Sequence, residues 1–543
     1  MKNNKDEKAL RLVSSFNQIS SERMPWESHW QEISERCLPA QSKLFTNKSG
    51  QQGEKRTEFI FDSTAQVALK RFASILDSLL TPRNQTWHKL VPSDSYLAKD
   101  RNVKLWFEEV NTLLFKYRYA PNANFASNNQ QNYISLGAFG TGCMYVDGLE
   151  GGEGLRYRAI HLGEIYFMEN HQGIVDKAYR KFPMTARQAF QKFGDSLPEK
   201  IVTSAKDKPD DIFEFIHCVE PREDLDPTKA DYRGMKFASY YVALNEKKII
   251  SEGGFKVFPY AISRYEQVPG ETYGRSPAMD VLPAIKTLNE QKKTILKQGH
   301  RIVDPVLLAH DDGILDSFSL KPGAINAGGI SAEGRALVQA LPVGNLHIGK
   351  EMMEDERKII NDAFLVNIFQ ILVDSPQMTA TEVIERTREK GILLAPTIGR
   401  QQSEYLGPMI EREFDILASQ GLLPPMPQML VEAKGEYHME YDSPLSRAQR
   451  AEEASGFMRT METALNIVNT TQDPSPLDHF NWDVIMPAVA DIQGVPQHWL
   501  RGMKDIEAMR QGRAQEAQDQ KLIQAAPAAA GVMKALPAMN KGG

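Results

Sequence analysis

From Leu10 to Ile33 apolar side chains recur every three to four positions, as Leu10, Val13, Phe16, Ile19, Trp26, Trp30 and Ile33. That spacing predicts an amphipathic helical region, interrupted at Pro25. A second helix is expected over about Ser63 to Leu80, where Val67, Leu69, Phe72, Ile75, Leu76, Leu79 and Leu80 make a broad apolar face and Thr81-Pro82 stops it. Two more follow at about Lys99 to Tyr117 and about Ala123 to Ala138. From Cys143 the period shifts towards two. CMYVDG, LRYRAIHL, EIYFMEN and VDKAYRKF, with turn signals at Asp147-Gly148 and Gly151-Gly152, predict an antiparallel meander. Thr185 caps a short helix to Phe193, and IFEFIHCVE, KFASYYVAL and FPYAISRYEQ continue the strand pattern. Residues 143 to 267 therefore read as an α+β region inside a mainly helical chain.

The pattern then lengthens. Ser276 is a fair N-cap and Pro277 suits the first helical position, so a helix is expected from there to about Val303, roughly 40 Å at 1.5 Å per residue. The segment 304–345 is rich in Gly and short apolar pieces and reads as a small β-rich excursion or compact loop domain. A second long helix runs from Leu346 to about Leu372. Its apolar stripe is Ile348, Met352, Ile359, Ile360, Phe364, Ile368 and Phe369, and its polar face carries Lys350, Glu351, Glu354, Asp355, Glu356, Arg357 and Lys358. A turn at Ser375-Pro376 ends it. Thr379 or Thr381 then caps a new helix, with Glu382 answering Thr379, and Gly391, Pro396 and Gly399 are expected to bend it. Helices over about Leu445–Asn469 and Met503–Lys521 precede an Ala/Pro/Gly-rich tail expected to be flexible.

At 543 residues, length alone suggests three or four domains. Sixty-four basic residues against 70 acidic ones leave a net charge of -6, without the basic excess that announces nucleic-acid binding. Cys37, Cys143 and Cys218 stand far apart, which argues against a disulfide framework or zinc site and for assembly in a reducing compartment. No signal-peptide core is expected at the N-terminus, and no run of 18 or more apolar residues calls for a membrane span.

Candidate chemistry is thin. Gly137-Ala138-Phe139-Gly140-Thr141-Gly142 superficially resembles a phosphate loop, but Cys143 and Met144 stand where Lys and Ser/Thr would be needed. It also sits between a helix and a strand, the reverse order, so a tight helix-to-strand connection is the better reading. His161, His217, His300, His310 and His347 form no metal-binding or triad pattern and read as structural or solvent-facing. Asp311-Asp312 beside Gly313 reads as a solvated turn. Lys286, Lys292, Lys293, Lys297 and Arg301 make the first long helix basic; this is either a phosphate-touching face or a solvated one, and composition favours the second. Met352, Met353, Met378 and Met409 suit core or subunit contacts. No catalytic residue, cofactor or metal is expected.

The order long helix, compact excursion, long helix, loop, kinked helix comes with PYAISRYEQVPGETYGRSPAMDVLPAIKTLNEQ, TATEVIERTREK and YDSPLSRAQR. With those residues the chain, over roughly 5 to 520, resembles the portal proteins of short-tailed bacteriophages, the head-to-tail connector family. The resemblance implies an α+β, mainly helical portal fold with wing, stem, clip and crown regions. Residues 1–275 would be the wing with its embedded β region, 276–303 and 346–366 the stem helices, and 304–345 the clip. Residues 367–380 would form the channel loop, 381–444 the kinked wing helix and return, 445–525 a crown-like helical region and 526–543 a flexible tail. It further implies a non-enzymatic dodecamer at one capsid vertex of the virion, assembled in the host cytoplasm. Double-stranded DNA would pass through its channel during packaging and ejection. Partners would be the terminase large subunit, tail adaptor or head-completion proteins, and the major capsid and scaffolding proteins. Carried over by position, Lys286, Lys292, Lys293, Lys297, Glu351 and Lys358 would line the DNA channel. Phe369, Gln370, Leu372, Val373, Asp374, Ser375 and Gln377 would belong to the channel loop. Asp311, Asp312, Asp316, Lys321, Asn326, Glu333 and Arg335 would dock motor and adaptors. The rivals are a tail adaptor or tube protein and an ATP-dependent packaging enzyme; the missing phosphate loop argues against the latter.

Overall fold

The computed structural model describes residues 2–45, 57, 60–94, 96–309, 319–342, 346–366, 394–433, 435–441, 444–492, 495, 499–502 and 505–517. The chain divides into two compact units, one of residues 1–85 and 114–422 and the other of residues 86–113 and 423–543.

In the first unit, α1 (Lys2–Glu22) and α2 (Met24–Cys37) are separated at Arg23, next to the expected break at Pro25. The buried stripe of α1 is Leu12, Val13, Phe16 and Ile19; Leu10, expected on it, is half exposed, because Ala9 and Leu12 occupy that face. Next come α3 (Thr64–Leu80), the end of α4 (Arg101–Arg118) and α5 (Phe125–Phe139). The GAFGTG segment is the tight connection its order suggested. Gly140 closes α5 at φ +73°, its N–H bonding to Leu136 O at 3.0 Å. At Gly142 an added Cβ would lie 2.3 Å from Asn132 Oδ1, so only glycine lets strand and helix approach.

The strands do not form one meander. β2 (Thr141–Gly148) and β3 (Leu155–Ala159) pair as expected, but their sheet is completed by the distant β9 (Tyr260–Arg264) in the order β3-β2-β9. A separate antiparallel sheet holds β4 (Ile165–Glu169), β5 (Val175–Thr185), β6 (Ile212–Pro221), β7 (Phe237–Ala243) and β8 (Lys248–Phe255) in sequence order. Thr185 does cap α6 (Ala186–Phe193), in a full capping box with Gln188. The helix α7 (Glu199–Asp207) and strand β8 lie where the sequence pattern predicted no element.

Alternate residues of β6 face opposite ways. Ile216 and Cys218 join Leu12, Val13, Phe16 and Ile19 of α1 in one core. Phe213 and Phe215 join Ala186, Ala189 and Ile201 of α6 and α7 in the other. A sheet covered on both faces explains why β6 reads as a near-continuous apolar run. His217 is buried within it. Its Nδ1 is 2.6 Å from Tyr260 Oη and its Nε2 is 2.9 Å from Ser239 Oγ, which ties the two sheets together.

Ser276 caps a single turn, α8 (Pro277–Asp280), by accepting the Met279 N–H at 3.1 Å, while its hydroxyl donates to Ala138 O at the end of α5. After a break at Val281 the long helix α9 (Leu282–Val303) begins, with Pro283 in its first turn. A short ladder of β10 (Leu307–Ala309) and β11 (Val338–Ala340) leads into α10 (Leu346–Ala363). That helix ends nine residues before the expected Leu372, since Phe364 and Leu365 form a turn with Leu365 at φ +61°. Its buried stripe is Met353, Ile360 and Phe364; Met352 and Ile359, expected on the apolar face, are half exposed. The expected caps at Thr379, Thr381 and Glu382 and the bend at Gly391 lie outside the described residues.

The helix resumes over 394–400 and runs into α11 (Gly407–Ser419), and the irregularity is not at Pro396 or Gly399. It is a π-helical stretch over Gln401–Leu406, immediately before Gly407-Pro408. Proline lacks an N–H and its ring crowds the carbonyl four residues back, here that of Glu404; a wider turn relieves that crowding. The π stretch also covers the open edge of β9. Arg400 donates to Tyr265 O at 2.9 Å and Gln401 Nε2 to Arg264 O at 2.7 Å, so side chains satisfy two successive strand carbonyls. Arg264 itself, almost fully buried, pairs with Glu404 and with Glu169 of β4.

The second unit pairs β1 (His88–Pro92) with β12 (Tyr437–Tyr441) across residues 93–436. Asn111 of α4 holds the Leu90 backbone on both sides, accepting its N–H at 2.9 Å and donating to its carbonyl at 3.3 Å. Helices α12 (Gln428–Glu432), α13 (Pro444–Thr471) and α14 (Trp482–Ile492) follow, with residues 505–517 also helical, close to the elements expected after Leu445.

Candidate channel and docking region

The functional candidates stand on the antiparallel pair α9 and α10 and on the excursion between them. Asn289 anchors the base of α9: its Oδ1 accepts the N–H groups of Phe61 and Asp62 at 3.0 and 3.1 Å. Asp62 in turn pairs with Arg357 of α10 at 2.7 Å. Burial pushes the Asp62 carboxyl up, but bonds from Thr64 and Arg357 outweigh it and hold the group below the ordinary carboxylate range. Both helices are therefore fixed to the segment ahead of α3.

The expected channel residues differ in surroundings. Lys286 is exposed and bonds Glu32 at 2.7 Å, holding that carboxyl below its ordinary range. Lys293 lies 3.6 Å from Glu290 and 5.7 Å from the centre of the Phe61 ring. Lys292 is half-buried, and Lys297, Glu351 and Lys358 are exposed. Lys297 lines a cleft of about 400 Å³ with Thr294, Gln298, Arg301, Val306, Leu341 and Pro342, where the helix meets the excursion.

In the excursion Lys321, Glu333 and Arg335 are exposed. Asn326 is not presented outwards in the same way. Its amide spans a loop, with Oδ1 accepting Ser319 N–H at 2.8 Å and Nδ2 donating to Ser319 O at 2.9 Å. Asp311, Asp312 and Asp316 lie outside the described residues, as do Phe369, Gln370, Leu372, Val373, Asp374, Ser375 and Gln377. What sequence reasoning missed is apolar exposure. Ile325 is 96% exposed, Val303 87%, Leu320 71% and Ile330 69%. The signal was available: a short excursion rich in Leu, Ile and Val has too little chain to bury them itself. Among the described residues no group of His, Cys, Asp or Glu could hold a metal ion, and no helix is long and apolar enough to cross a membrane.

Two fixed helices that carry an apolar, self-exposed excursion out of a packed α+β body define a protein built to assemble with others. The chain belongs to the family of bacteriophage head to tail connecting proteins, whose family model matches residues 9–500. It is 30% identical over 517 residues to the probable portal protein of Bordetella phage BPP-1, covering 93% of this chain and 91% of the relative. To the portal protein of Salmonella phage epsilon15 it is 28% identical over 539 residues, covering 97% and 95%. A neck structure of an empty GTA particle aligns over 78% of this chain and 94% of its own at 11% identity, with a TM-score of 0.37.

Proposed function

We propose that this chain forms a closed ring of twelve copies at one capsid vertex, around a channel through which double-stranded DNA is packaged and later ejected. The observation that carries the reading is the exposed apolar surface of α9, the excursion and α10, in a chain whose near-full-length relatives are portal proteins. Surface of that kind needs covering, and head-to-tail contacts between identical copies cover it while closing a ring. In this assembly residues 1–275 form the wing, α9 and α10 the stem, 304–345 the clip, 367–380 the channel loop, and the region after 445 the crown. The clip, with Lys321, Glu333 and Arg335 outward, docks the terminase large subunit and then tail adaptors; the wing meets capsid and scaffolding proteins. Lys286, Lys292, Lys293 and Lys297, with Glu351 and Lys358, stand along the stem wall. Two of these lysines already have an acid within the chain, so the field that DNA meets there is muted. A net charge of -6 per copy makes the whole ring acidic, which keeps the phosphate backbone mobile rather than bound. Energy for packaging comes from the docked motor, and the ring is a conduit without catalysis of its own.

Negative-stain electron microscopy of the purified protein tests this. Rings near twelve subunits with a central hole are expected, and a monomer under every salt and concentration tried would overturn the reading.

A further inference from the structure

The two long helices carry charge of opposite sign on their outer flanks. On α9, Lys286, Lys293, Lys297 and Arg301 follow one another at spacings of seven, four and four, so they form one stripe. The residues facing inward from α9, Ile285, Leu288 and Ile295, lie on the other side of the helix. On α10, Glu351, Glu354 and Asp355 are all exposed and stand opposite the buried Met353, Ile360 and Phe364; the exposed Lys358 shares this flank at its wing end, so the flank carries three acids to one base. Among the described residues Lys297, Arg301, Glu351, Glu354 and Asp355 make no ion pair.

The level of these charges is set by one close approach. A Cβ on Gly349 would lie 2.8 Å from Ile295 Cδ1, so these two residues face each other across the pair. Counting 1.5 Å per residue in antiparallel directions from that point, Lys293 and Glu351 stand at about the same height. Lys297 lies about 6 Å beyond them towards the excursion and Asp355 about 6 Å towards the wing, both within reach of long side chains. Half-exposed apolar residues accompany each stripe, Leu296 on α9 and Met352 and Ile359 on α10.

From this we infer that the basic flank of α9 docks on the acidic flank of α10 of a second copy of this chain. The pairing rests on the ring reading above and specifies which surfaces meet at its seam. Opposite signs on opposite flanks at matched height suit a head-to-tail contact that repeats, and they oppose a two-fold one, which would set like charges together. Leu296, Met352 and Ile359 would exclude water from the seam, and the stem lysines would reach DNA only as charges already half-neutralised by a neighbour.

The test is a reciprocal charge reversal in the full chain. One variant carries Lys293→Glu with Lys297→Glu, the other Glu351→Lys with Asp355→Lys. Each alone sets like charges across every seam, and the ring peak in size exclusion should be lost or fall at least tenfold. Mixed in equal amounts, the reversed flank of one variant meets the reversed flank of the other and native meets native, so every seam again sets opposite charges together and rings should return with the two chains alternating one to one. Recovery on mixing also shows that both variants fold. If both variants form rings alone as well as the native chain does, or if mixing restores none while each remains a folded monomer by circular dichroism, the inference fails. A native chain that forms no ring would instead count against the ring itself.

Discussion

His217 shows what burial does to a single side chain in this protein. Enclosure between two sheets, reinforced by Lys192 and Arg180, pushes its imidazole from an ordinary 6.5 down to about 3. His161, buried near Arg23, is pushed down to about 4. Both are neutral in the folded chain, whereas in the unfolded chain they take up protons below about pH 6.5. Their contribution to stability is therefore complete above that pH and is lost as pH falls towards 3 to 4, at about 1.4 kcal/mol per pH unit for each histidine. Thermal unfolding followed by circular dichroism from pH 7.5 to 4.5 should show a falling midpoint. In His217→Gln the midpoint should start lower, because the bonds to Tyr260 and Ser239 are disturbed, but fall less steeply. An unchanged slope would remove His217 from the account. A second buried group, the pair of Arg118 and Glu413 with Tyr157 donating to Glu413 at 2.7 Å, holds α11 against the end of α4 in the same manner.

At the scale of elements, the parts legible in the sequence were those whose cause is local. The caps at Thr185 and Ser276 and the connection at Gly140 each depend on a few neighbouring residues, and each stands where the residues put it. The sorting of strands into two sheets depended on β9, more than a hundred residues after its partner β2, and no short-range pattern carries that. The stripe on α10 shows a subtler limit: Met352 and Ile359 repeat at helical spacing as well as Met353 and Ile360 do, and the positions of α9 and α3, both packed on α10, decide which set is buried. Candidate site charges were legible as positions but not as pairs, since the acid that Lys286 meets, Glu32, is 254 residues away. The π stretch was hidden too, although Gly407-Pro408 announces a disturbance just ahead of it. Its extra residue is needed to bring Arg400 and Gln401 onto the edge of β9 while Tyr405, Met409 and Ile416 stay in the core. Deleting Ser403, which is exposed, should restore α-helical phase and turn one of those sets by about 100°. A drop of several degrees in melting midpoint is expected for the deletion and almost none for Ser403→Ala; equal midpoints would show the wide turn to be incidental.

The whole molecule is built from a chain that leaves its first unit at residue 85, returns at 114 and leaves again at 422. Among the described residues the sheet of the second unit forms only when β12 arrives to meet β1, with residues 93–436 made in between. A chain truncated after Leu422 should therefore be cut readily by protease within residues 86–113, while the full chain resists there. Equal resistance in both would mean that the early segment is held by other means. The consequence is one of timing. As the polypeptide emerges, residues 86–113 must wait for β12, so this pairing forms late and its closure marks a chain made at least as far as Tyr441. If ring closure needs that unit, chains broken off before β12 are excluded from the ring by the order in which they fold, and the pairing of β1 with β12 acts as a check that everything between them has been made.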